Sequence, residues 1–348
     1  MPPPIVPTVP LQSRVAGPVS WYRCPVPSKD LKELHRRSDW LGGLQTLGYL
    51  GMLAATGSAA FFAVGRLPAW AVVALVFAHG MGCAFLINGI HELCHGTVFK
   101  TPFLNAVFVR IFGFFGWNYN FEMFWASHQR HHRYTLHPPD DLEVVLPMRL
   151  VAKHFLLQGF VDPVLAWKTF KTTWRIACGR MEGEWELTLY PDSDPEARKA
   201  AVLWARVLLI GHGLILAFSI YKKLWLLPVL TTLTPFYGSW LFFLCNNTQH
   251  IGLQDNVPDF RLCCRTITLN PLLQFLYWHM NYHTEHHMYA AVPCYRLGRL
   301  HRLIKDDLPP CPRGLVATWK EIAEIQRKQE ADPAYQYAAP LPGRSSNG

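Results

Sequence analysis

Apolar residues are distributed along this chain in long uninterrupted blocks. Leu41 to Gly65 runs 25 residues without a charge, and Leu67 to Ile90 runs another 24. Each exceeds the roughly 20 residues needed to cross a bilayer as a helix. Gly65-Arg66-Leu67-Pro68 between them admits only a tight helical hairpin. Ala200 to Tyr221 is a third apolar block, with Arg206 near one end, where it can snorkel. Leu224 to Gln254 is uncharged for 31 residues, and Lys222 and Lys223 divide it from the third. The pattern predicts an all-α integral membrane protein with four spans in two hairpins, at about 41–65, 67–90, 200–221 and 224–246. Two further apolar segments are too interrupted to cross. Arg110 breaks 101–121 and Asn270-Pro271 breaks 266–282, so both are expected to lie along the membrane face.

Composition agrees. Half the residues are hydrophobic and 16% are charged, against about 25% in soluble domains. That excludes a disordered chain. The Pro-rich start (MPPPIVPTVP) has no basic region and no compact apolar core. It is expected to be extended, and it is not a signal peptide. Nine cysteines without a CxxC pair read as reduced thiols near the cytosol. Of 33 lysines and arginines, only Arg66, Lys222 and Lys223 fall in the two hairpin turns. Both termini and the 91–200 segment are therefore expected on the cytosolic side. The expected division is a cytosolic extension at 1–34, a membrane domain at 35–305 and a cytosolic tail at 306–348. The formal charge of +9 comes without any nucleic-acid-binding motif. It suits an anionic leaflet or an acidic protein partner instead.

Histidine is the residue type that carries chemistry. Three clusters stand out among 16 histidines: His91-Glu-Leu-Cys-His95, His128-Gln-Arg-His131-His132 and His283-Thr-Glu-His286-His287. Chance would supply an HxxHH about 0.03 times in such a chain, and there are two. Residues three and four apart share one helix face. Each cluster therefore offers several imidazoles from one turn, as a metal requires. His250 follows the fourth block in Asn246-Asn-Thr-Gln-His250, so nine imidazoles are expected at one membrane surface. Spacing alone does not choose among Zn, Cu, Fe and Ni. His79 and His212 lie within spans, where a hydrogen bond between helices is the expected role.

HELCH, HQRHH and NYHTEHH, with Asn-x-x-x-His between the last two, resemble the histidine boxes of the membrane fatty acid desaturase family. The resemblance covers roughly residues 35–305. It implies a cytosolic helical cap holding two iron ions, with O2 as co-substrate and two electrons from outside. The ligands it implies are His91, His95, His128, His131, His132, His250, His283, His286 and His287, with Asn246 reaching iron through water. Glu92, Asp140, Asp141 and Glu285 lie close enough in sequence to orient these imidazoles. The implied reaction puts a double bond into an aliphatic, acyl or lipid-like chain. A hydroxylase or ketolase of the same superfamily, for instance on a carotenoid, shares the boxes, as does a desaturase of a smaller specialised metabolite. A histidine-rich metal transporter is a more remote reading, because transporter sites sit near the midplane. No haem, flavin or iron–sulfur motif is present in the sequence, so a ferredoxin or a cytochrome b5-type protein is the implied donor. The aromatic run from Phe112 to Trp125 suits an interfacial belt, or less strongly the wall of an acyl tunnel.

Overall fold

The computed structural model describes residues 19–144, 146 and 152–342; most of the Pro-rich start falls outside them. Among the described residues the chain is helical, with only isolated β-bridges. The N-terminal half holds α1 (Ser28–Leu34), α2 (Asp39–Ala63), α3 (Ala69–Cys83), α4 (Leu86–Cys94), α5 (Pro102–Phe115) and α6 (Phe121–Tyr134). The middle holds α7 (Ala152–Phe160), α8 (Pro163–Ala177), α9 (Glu184–Leu189), α10 (Pro195–Lys222), α11 (Leu226–Thr231) and α12 (Trp240–Asn246). The remainder holds α13 (Phe260–Cys263), α14 (Pro271–Leu276), α15 (His283–Met288), α16 (Cys294–Ile304) and α17 (Gly314–Ala331).

Three helical stretches are long and apolar enough to cross a membrane: α2, α3 with α4 (Ala69–Cys94), and α10. Their ends follow from local chemistry. Ser38 caps α2, its hydroxyl accepting from Leu41 N, and Pro68 starts α3 with its fixed φ. Asp194 caps α10 ahead of Pro195, and Lys223 ends it in the left-handed region. The outer face of α10 exposes Val207, Ile210, Leu214 and Phe218. Such a stripe is unfavourable in water and suits contact with acyl chains.

The fourth apolar block departs from expectation. It is not one helix but α11, a 3-10 turn at Thr234–Phe236, and α12. Pro228 and Pro235 lack the N–H a continuous helix needs. Gly238, at φ +75°, passes so close to α3 that a Cβ there would stand 2.7 Å from Met81 N. The chain thus breaks in order to lie against α3, and the break frees carbonyls inside an apolar region. Side chains satisfy them, as they must away from water. His79 Nε2 donates to Leu230 O at 3.0 Å, Trp117 Nε1 to Thr232 O at 2.6 Å and Tyr237 OH to Val229 O at 3.0 Å. His212 Nδ1 meets Thr232 Oγ1 at 3.0 Å, while its Nε2 donates to Phe114 O. Both intramembrane histidines therefore join helices, as the sequence suggested. Shorter helices pack on these and on one another. α14 and α16 pack on α2, α6 packs on α4 and α5, and α15 packs on α13 and α16.

His79→Leu should leave Leu230 O unpaired and cost about 1–3 kcal/mol of stability. Thermal unfolding of the detergent-solubilised variant checks this; an unchanged midpoint would remove that role from His79.

Candidate metal centre

Four elements deliver the histidines. α4 carries His91, with His95 as its C-cap. α6 begins at a capping Asn120 and presents His128, His131 and His132 in its last two turns. α15 presents His283, His286 and His287, and His250 sits in the turn after α12. All nine converge. His91, His95, His128, His132 and His286 form one group, and His131, His250, His283 and His287 form another, each with donor atoms within 4.8 Å of one another. The groups adjoin, since the rings of His132 and His287 stack with centroids 4.3 Å apart.

The donor set fits a cation in each group. His250 Nδ1 donates to Cys263 O at 2.8 Å, so its Nε2 carries a lone pair. Thr135 spends its one proton on His131 O, so its oxygen accepts from His287 Nδ1, and His287 Nε2 also carries a lone pair. Both lone pairs face His283 Nε2, at 2.9 and 3.1 Å. One N–H on His283 serves at most one of them, whereas a metal ion serves all three. In the other group His132 Nε2 stands 2.9 Å from His128 Nε2 and 3.1 Å from His286 Nε2. His91 Nε2 and His95 Nε2 are buried there without a hydrogen-bond partner.

A ring of acceptors holds these tautomers. Glu92 takes the proton of His91 Nδ1 at 3.0 Å and lies 3.6 Å from His286 Nδ1. Asp141 takes that of His131 at 2.8 Å. The other two acids named from the sequence are placed elsewhere: Asp140 pairs with Arg130, and Glu285 bonds His301 and Thr266. The acceptor for His128 is Glu143, at 2.8 Å, which sequence reasoning passed over. Thr135 and the Cys263 carbonyl were missed likewise. Arg265, also unanticipated, clamps the His250 turn by donating to Thr248 O and Ile251 O, and Glu321 of α17 balances its charge. A cavity of about 350 Å3 opens beside the groups, and Asn246 lines it together with five of the histidines.

Burial keeps the imidazoles neutral. It holds His128, His132, His283, His286 and His287 well below the ordinary histidine range. It pushes His95 and His250 down to about 3. At His131 burial acts the same way, but Asp141 outweighs it and raises the ring. Burial also pushes Glu143 up to about 7.

Residues 68–318 match the family described as fatty acid desaturase, well over half of the chain. The chain belongs to the fatty acid desaturase family, the histidine-box di-iron oxidoreductases. No curated protein matches it.

Without metal, the unfolded chain takes up protons below about pH 6.5 that the seven depressed histidines refuse when folded. Stability is then full above that pH and lost as pH falls toward about 3. His131 acts oppositely, and so does Glu143, whose raised pKa lets the folded carboxyl keep a proton the unfolded one has lost, but the seven histidines outnumber them. Thermal midpoints of the metal-free protein should fall between about pH 7 and about pH 5; a flat profile would contradict neutral burial. Glu143→Ala should lower metal affinity about 10–100-fold, measured by titration against a competing chelator.

Proposed function

We propose that the chain is an O2-dependent desaturase that inserts a double bond into the aliphatic part of a lipid. The observation that carries this is the pair of adjoining imidazole groups whose inward nitrogens lack protons to share. Nine histidines serve as ligands in this reading: His91, His95, His128, His132 and His286 to one iron, and His131, His250, His283 and His287 to the other. Asn246, on the cavity wall, would reach one iron through water. When bound, the two irons supply the redox chemistry of O2 reduction. In the balanced reaction, two hydrogens leave adjacent carbons. O2 becomes two waters, using those hydrogens, two external electrons and two protons.

The protein supplies position and exclusion of water. Glu92, Asp141 and Glu143 keep imidazole N–H groups turned outward and lone pairs inward. Phe124 stacks on His128 with ring centroids 5.2 Å apart and covers that side of the ring. Ile87, Phe242 and Met280 give the cavity an apolar wall for the reacting chain. In this reading α11 and α12 complete a fourth crossing, and the lysine and arginine distribution puts the site on the cytosolic side. Exposed Arg299, Arg302 and Lys305 stand by α16, one helix from the α15 histidines. They suit an acidic donor of ferredoxin or cytochrome b5 type.

Cells expressing the protein should gain a new unsaturated lipid, and the purified chain should hold two irons. His286→Ala should abolish the product and lower bound iron. A His286→Ala variant with full activity, or a wild type that binds no iron, would sink the assignment.

A further inference from the structure

A second cavity, of about 360 Å3, lies beside the histidine cavity between α6, α8 and α9. Tyr119, Phe124 and Glu143 line both, so the two meet there. Its character is different. α8 turns Thr169, Thr172 and Thr173 toward it, three hydroxyls on one helix face. Thr169 and Thr173 are buried, and none of the three hydroxyls bonds a described residue. Asn118 adds an amide, and Ser127 and Trp185 bond each other across the wall. Unused hydrogen-bonding groups in a recess are what a polar ligand would complete.

The charges narrow that ligand. Among the described residues no lysine or arginine lines the cavity. The nearby Arg130 and Arg175 are already paired with Asp140 and Glu186. The two lining carboxylates are also committed, Glu143 to His128 and Ser127, and Glu186 to Arg175. Among the described residues an anionic group would meet two acidic side chains and no free cation, and a cationic one would find no free carboxylate. The opposite face of α8 fixes the depth. Val164, Trp167, Phe170 and Trp174 are exposed on it, with Trp167 and Phe170 stacked at 6.1 Å. An amphipathic helix with such a face lies at the headgroup level of a membrane.

We propose that this cavity receives the uncharged, hydroxyl- or amide-bearing head of a membrane-resident lipid, whose chain passes Tyr119 into the histidine cavity. The proposal rests on the desaturase reading and narrows its substrate. Acyl thioesters of phosphorylated carriers bring several negative charges to the place where Glu143 and Glu186 stand, and are disfavoured.

The full-length protein in lipid nanodiscs tests this with radiolabelled N-stearoylethanolamine as probe. The probe should be retained and displaced by 1-monostearoylglycerol, but not by excess stearoyl-CoA. Thr169→Val with Thr173→Val should weaken retention roughly thirtyfold, the loss of two hydrogen bonds worth about 1 kcal/mol each. The corresponding double serine variant, which keeps both hydroxyls, should bind as wild type. Displacement by stearoyl-CoA as effective as by the neutral lipid, or a double valine variant that binds normally, would overturn the proposal. Iron content and O2-dependent turnover on the same preparation judge the desaturase reading separately. A two-iron protein that desaturates stearoyl-CoA keeps that reading and loses the neutral head. A protein that retains the neutral probe but holds no iron does the reverse.

Discussion

Nine imidazoles gathered in two adjoining groups can hold cations only if each turns a lone pair inward, and much of the surrounding structure suits that demand. Left to itself each ring could take either tautomer, and a buried ring nitrogen without a partner costs about 1–3 kcal/mol. Five outer nitrogens, those of His91, His128, His131, His250 and His287, are met from separate elements, while Nδ1 of His283 and of His286 is buried without a hydrogen-bond partner. Glu92 belongs to α4, Thr135, Asp141 and Glu143 to the turn after α6, and the Cys263 carbonyl to α13. The inner nitrogens remain unmet by protein, at His91 and His95 outright. A cation in each group would resolve what the protein alone leaves unpaired.

The same economy of partners operates deeper in the apolar region. The broken fourth block exposes the carbonyls of Val229, Leu230 and Thr232; Tyr237 of the block itself serves the first, and His79 and Trp117 reach the other two from elsewhere in the chain. The break has a use for the site. It lets α12 cross α3 with backbone against backbone at Gly80 and Gly238, and deliver Asn246 and His250 to the histidine groups. Arg265 then locks the His250 turn from outside, with Glu321 of α17 behind it.

Periodicity made the histidines legible in the sequence, because ligands three and four apart on one helix are a local pattern. Two of their supporting acids were legible for the same reason, being next to or near a box. Glu143 was not. Which of Asp140, Asp141 and Glu143 faces a ring depends on the turn after α6, where Leu136 takes a positive φ of 54° and its N–H binds Asp141. No spacing rule carries through such a turn. Thr135 and the Cys263 carbonyl were hidden because their partners lie 152 and 13 residues away. The fourth block was misjudged as a continuous helix for a different reason. Absence of charge reports compatibility with lipid, not continuity, and Pro228, Pro235 and Gly238 carried the opposing signal in plain sight.

Charge ties the metal site to the choice of substrate. Neutral imidazoles would leave bound cations unbalanced, and the acids that stand behind the rings are Glu92, Asp141 and Glu143. Glu92 and Asp141 are sealed within the protein. Glu143 lies on the wall that the histidine cavity shares with the threonine-lined one. One of its oxygens accepts from His128 and the other from Ser127, so both are taken before a head group arrives. A guanidinium placed there to welcome an anion would compete with His128 for Glu143 and loosen the ring it holds. Preference for an uncharged head thus follows from how the metal's imidazoles are held, and could not be reversed at this wall without weakening that hold.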